Sequence, residues 1–73
     1  MKESEIVERL LQGDEEFKRL YSEHRKLDDA VKKLETKGSL SLDEELEVKR
    51  LKKTKLALKD KMEEKIRKAR KSL

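Results

Sequence analysis

FKRLYSEHRKLDDAVKKL, residues 17–34, decides the fold. Phe17, Leu20, His24, Leu27, Val31 and Leu34 recur at spacings of 3, 4, 3, 4 and 3. That rhythm is the heptad stripe of a helix that lays one face against another helix. His24 stands at one core position of the stripe.

Downstream, Val48, Leu51, Lys55, Leu58, Met62, Ile66 and Ala69 carry the same rhythm, with Lys55 as their polar intrusion. Between the two stripes lies Lys37-Gly38, a basic last turn followed by a glycine stop. Ser41 with Glu44 three residues on is a capping box that starts the next helix. Upstream, Ile6, Val7, Leu10 and Leu11 share one side of a short helix. Gly13 suits its C-cap, and Asp14, ahead of Glu15 and Glu16, suits the N-cap of the next.

The expected fold is all-α, one helical domain over residues 1–73. A short helix spans 4–12, and a long antiparallel hairpin has helices at 15–37 and 42–71 joined by a turn at 38–41. Folding about the turn pairs residues whose numbers total about 79. Val31 then faces Val48, Leu27 faces Leu51, Leu20 faces Leu58 and Phe17 faces Met62. His24 faces Lys55, Leu10 lies near Ala69 and Ile6 near Leu73. The hairpin seam is therefore Phe17, Leu20, Leu27, Val31, Leu34, Val48, Leu51, Leu58, Met62 and Ile66.

Composition narrows the function. The 73 residues include no Cys and one His, which excludes disulfides, cysteine nucleophiles and thiolate zinc sites. No metal or cofactor is expected. No apolar run exceeds three residues, as at Leu56-Ala57-Leu58, too short for a membrane span or a signal-peptide core. With an acidic start, MKESE, a cytoplasmic location and no membrane partner are expected.

Charged residues make up 52% of the chain. Residues 1–48 hold 9 Lys/Arg and 14 Asp/Glu, and residues 49–73 hold 12 and 3. Antiparallel folding thus lays an acidic segment of net −5 along a basic segment of net +9. Glu15–Arg19, Asp28–Lys32, Asp29–Lys33, Glu45–Lys49, Glu63–Arg67 and Glu64–Lys68 stand at i,i+4 in the favourable order.

Two motifs fall within the hairpin. The first is Phe17-x-x-Leu20-x-x-x-His24-x-x-Leu27-Asp28-x-x-Val31-x-x-x-Glu35. The second is Lys52-Lys53-x-Lys55-Leu56-x-Leu58-Lys59-Asp60-x-Met62. Together they resemble the YdcH-like family of small bacterial proteins of unknown function, over about residues 14–64. The resemblance implies a coiled-coil-like helical hairpin in a small bacterial cytoplasmic protein, and brings no catalytic activity or cofactor. Lys61, where an acidic residue is common, and the basic run from Lys65 to Lys71 depart from the pattern.

His24, Asp28 and Lys55 form the sharpest cluster. A polar layer that fixes helix register explains them better than a polar recognition or proton-linked site. Catalysis needs a cleft that excludes water, and a two-helix seam has none. No catalytic residue is assigned, and no enzyme is expected. Tyr21, Leu42, Leu46 and Leu56 lie off the main stripes. They form a possible association surface, with a homodimer making a four-helix bundle as the favoured assembly and a helix-packing protein partner also open. Lys65, Arg67, Lys68, Arg70 and Lys71 form a possible surface for an anionic partner. Nucleic acid is the alternative reading, weakened by cations spread around the helix and by the absence of interleaved aromatics.

Overall fold

The computed structural model describes residues 2–72. Its elements are α1 (Glu3–Gly13), α2 (Glu15–Glu35) and α3 (Leu42–Lys71), with no strand among the described residues. The fold is all-α. α2 and α3 form an antiparallel hairpin, and α1 packs on both.

The helix boundaries follow local chemistry. Asp14 caps α2, its Oδ1 accepting from the Phe17 N–H at 3.0 Å. Ser41 and Glu44 close a reciprocal capping box at the start of α3, with bonds of 3.2 and 3.1 Å. α2 ends at Glu35, two residues short of the expected stop. The Lys37 N–H bonds back to the Leu34 carbonyl, three residues away, at 3.2 Å, and the Thr36 hydroxyl donates to the Lys33 carbonyl at 2.9 Å. These bonds tighten the last turn out of α-helical geometry before Gly38.

Gly38 reverses the chain at φ +78°, a left-handed conformation that a glycine adopts without a Cβ penalty. Gly13 does not do this. It is the last residue of α1, and the chain bends at extended Asp14 instead. α1 starts at Glu3, one residue early, with Lys2 at its N-cap and no side-chain cap bond.

All the seam residues face inward. Phe17, Leu20, Val31, Val48, Leu58 and Ile66 are buried, and Leu27, Leu34, Leu51 and Met62 are half-buried. The placement of α1 departs from the sequence expectation. A total near 79 carries α1 onward past α2 and sets Ile6 beside Leu73, which lies outside the described residues. Ile6 instead packs with Phe17 and Ile66, so α1 turns back along the hairpin. The burial of a helix face explains this, because Ile6, only 1% exposed, finds a closed apolar surface there. The molecule is 48 Å long, about the length of α3 alone at 1.5 Å per residue.

Candidate functional site

Asp28 and Lys55 meet as the layer reading requires, at the middle of the hairpin. Lys55 Nζ donates to Asp28 Oδ1 at 3.0 Å, and Lys32 Nζ lies 3.2 Å from Asp28 Oδ2. The Lys55 hydrogen bond, and then that of Lys32, holds the Asp28 carboxyl below its ordinary value of 3.8. Both oxygens face ammonium groups, so Asp28 acts as a counter-ion. His24 makes no hydrogen bond within this pair. It is half-buried beside the pair and lines the same groove.

The groove, of about 520 Å³, runs between the three helices. Val7, Tyr21, Met62 and Ile66 supply its apolar part, and Arg25, Asp28, Lys55 and Lys59 its polar end. Among the described residues, no group of three or more His, Asp or Glu side chains is placed to hold a metal ion.

A second polar pair sits at the far end of the hairpin. Lys65 Nζ donates to Asp14 Oδ2 at 2.9 Å and lies 3.6 Å from Glu16 Oε2. The bond from the Phe17 N–H, then that from Lys65, holds the Asp14 carboxyl below its usual value, and Asp14 in turn raises Lys65. Asp14 thus joins all the elements it touches, ending α1, capping α2 and binding α3. The sequence reading gave Asp14 its cap and placed Lys65 on a free basic surface. The missed signal was the register itself, since 14 and 65 total 79.

The structure therefore divides the basic tail. Lys65 is half-buried and turned inward, and Lys68 lies 3.4 Å from Glu64. Arg67, Arg70 and Lys71 are exposed, with no carboxylate within ion-pair distance among the described residues. Of the six i,i+4 pairs named above, Asp28–Lys32 and Glu64–Lys68 are closed. Across the hairpin, Glu35–Lys52 joins the pairs of Asp28 and Asp14, while Lys37 bonds Glu44 at the turn.

The apolar surface set is divided as well. Tyr21 belongs to the core, its ring 6.5 Å from that of Phe17 and packed against the Ile6–Phe17–Ile66 cluster. Leu42, Leu46 and Leu56 remain outside, 76%, 57% and 59% exposed. They lie within about 80° of one another around α3, on the side away from the seam.

These features define a class: a charge-paired helical hairpin with a polar layer in its seam and a short helix folded over one end. A family model described as a protein of unknown function (DUF465) matches residues 17–66. The chain belongs to this family, of which YdcH is a member, and the resemblance read from the two motifs holds. No curated protein and no solved structure matches the chain significantly. The family match begins at Phe17 and ends at Ile66, the two residues on which Ile6 sits.

Proposed function

We propose that this protein is a small, non-enzymatic interaction module that associates with itself through its helices, the simplest assembly being a dimer. The observation that carries the reading is the outward stripe of Leu42, Leu46 and Leu56, each more than half exposed on a single-layer hairpin. The molecule also keeps much surface. Its accessible area is 5886 Å², against about 4,700 Å² expected for a compact chain of its mass. Its radius of gyration is 14.9 Å, against about 11 Å for a compact domain of its length. A helix pair with so much uncovered surface gains by packing a second pair against it. The fully engaged Asp28 carboxylate and the open groove support a non-enzymatic role.

Sedimentation equilibrium tests the reading. The native chain is expected near twice its 8.7 kDa mass, and Leu42→Ser, Leu46→Ser and Leu56→Ser together are expected to return it to the monomer. A native chain that sediments at 8.7 kDa at micromolar concentration rejects it.

One observation favours a second reading, a nucleic-acid-associated protein. Arg67, Arg70 and Lys71 are unpaired among the described residues and lie within about 100° of one another on the last turns of α3. Phosphate contacts from such a face give saturable binding that weakens steeply with salt. Fluorescence anisotropy with RNA and DNA at low and physiological salt checks this, and no saturable binding at low salt removes it.

A further inference from the structure

One residue separates two helices that are otherwise continuous. α1 ends at Gly13, α2 starts at Glu15, and only Asp14, at φ −122° and ψ 105°, interrupts the run from Glu3 to Glu35. The hydrogen-bond ladder reaches this residue from both sides. The Asp14 N–H donates to the Leu10 carbonyl at 2.8 Å, and the Asp14 carbonyl accepts from the Lys18 N–H at 3.0 Å. These are the i,i+4 bonds of an unbroken helix. What fixes the bend is the side chain, with Oδ1 on the Phe17 N–H and Oδ2 on Lys65 Nζ. Gly13 does not pin it, for a Cβ there meets nothing within 4 Å.

We propose that α1 is an exchangeable element, and that the surface formed by Phe17, Tyr21, Met62 and Ile66 accepts the α1 of a second copy of this chain. When Asp14 takes helical dihedrals, α1 and α2 fuse into one rod and Ile6 leaves its seat. Ile6, Val7, Leu10 and Leu11 are then bared on the rod, and Phe17 and Ile66 on the hairpin. The partner whose chemistry fits both is a second copy, because the contacts it offers are those α1 already makes. Reciprocal exchange closes a two-fold dimer in which every contact of α1 is kept and only the junction changes. In the exchanged form each α1 still runs antiparallel to the α2 it covers. The two hairpins therefore meet end to end at their α1 ends, with the Gly38 turns outermost. This is a long particle, unlike the side-by-side bundle formed through the leucine stripe. In the closed chain the tethered α1 competes at high effective concentration, so exchange gains ground when the bend is weakened or the chain concentrated.

The inference shares with the self-association reading only its partner, a second copy, so it is tested where the leucine stripe is silent. In the Leu42→Ser, Leu46→Ser, Leu56→Ser background, Asp14→Ala removes the cap and the Lys65 contact together. Light scattering is expected to show a doubled mass, and X-ray scattering a particle about 75 Å long, against 48 Å for one chain. A mixed sample of isotope-labelled and unlabelled chains is expected to show an intermolecular NOE between Ile6 and the partner's Phe17. Asp14→Asn retains a capping oxygen and is expected to keep the parent mass. Gly13→Ala, which meets no neighbour, is expected to move the mass the same way as Asp14→Ala and less far, whether or not Asp14→Ala folds. Parent mass in both helix-promoting variants, or a doubled mass without the intermolecular NOE, overturns the exchange. A native chain that is monomeric, with exchange intact in Asp14→Ala, sinks the leucine-stripe reading and leaves this one standing.

Discussion

The two ends of the hairpin are built on different principles. At the α1 end three helices converge, and Phe17 and Ile6 are 0% and 1% exposed, with Ile66 closing the cluster. Side chains from positions far apart in sequence hold this end, down to the Asp14–Lys65 bond. At the turn end there are only two helices. Val31 and Val48 are buried, while their neighbours Leu34 and Leu51 stay half-buried. This end is secured by short-range devices: the left-handed Gly38, the Ser41–Glu44 box and the Lys37–Glu44 bond. A two-helix seam leaves both flanks open to water, and a third helix closes one of them. The third helix therefore thickens the apolar seam at one end, while backbone geometry and capping supplement a thinner seam at the other.

This contrast can be broken by mutation. The largest expected effect is Phe17→Ala, a loss of about 3–5 kcal/mol in urea unfolding, because the cavity opens where three helices meet. Val31→Ala, on the two-helix section, is expected to lose less, since burying a whole valine side chain is worth roughly 1.5–3 kcal/mol. Equal losses for the two would erase the distinction. Gly38→Ala comes next, at about 1–2 kcal/mol, the cost of a Cβ in a left-handed residue. An unchanged urea midpoint would mean that the turn relaxes at no cost. Ser41→Ala is expected to lose about 1 kcal/mol through its cap, with the Phe17 region unaffected by NMR shifts.

The smallest expected effect is the pH dependence, which spans the molecule. Asp14, Asp28 and Glu44, from the α1 end to the turn, all titrate below their ordinary values through hydrogen bonds, from Phe17 N–H, Lys55 and Lys37 respectively. A carboxylate depressed in the folded state stabilises above its unfolded value and loses that contribution as pH falls through the folded one. Thermal midpoints are therefore expected to drop on acidification below about pH 4, with a shallower acid limb in Asp14→Asn and Asp28→Asn. Lys65 is raised, so its contribution persists at neutral pH and fades only as pH rises through its folded value. A flat acid limb in the native chain would show that these pairs add no folding energy.

Much of the hairpin was legible because helix periodicity is local. The 3–4 spacing around Phe17 and Leu27, and again around Val48 and Leu58, names the inward faces without reference to tertiary structure. The Asp14 cap, Gly38 and the Ser41–Glu44 box were legible for the same reason, since each acts within one turn of chain. The polar layer was legible in part. Register brought Lys55 to the layer and Asp28 compensates its charge there, while His24, one turn away, takes no part in the bond. Tyr21 and Lys65 were misplaced as surface residues, because each is covered only where α1 and the start of α2 approach α3.

Local spacing is enough to specify three amphipathic helices, their boundaries to within about two residues, and the pairing of the long two. Each follows from hydrogen bonds and side-chain spacing over a few residues. The course of α1, by contrast, depends on the packing of the whole molecule. A single extended residue, Asp14, redirects it, and a dihedral change of that size leaves no trace in composition or periodicity. Turning back buries Ile6 between two helices, on Phe17 and Ile66, whereas the onward course sets it against α3 alone. That comparison of whole-molecule burial fixes the α1 end, and through it the inward fate of Tyr21 and Lys65.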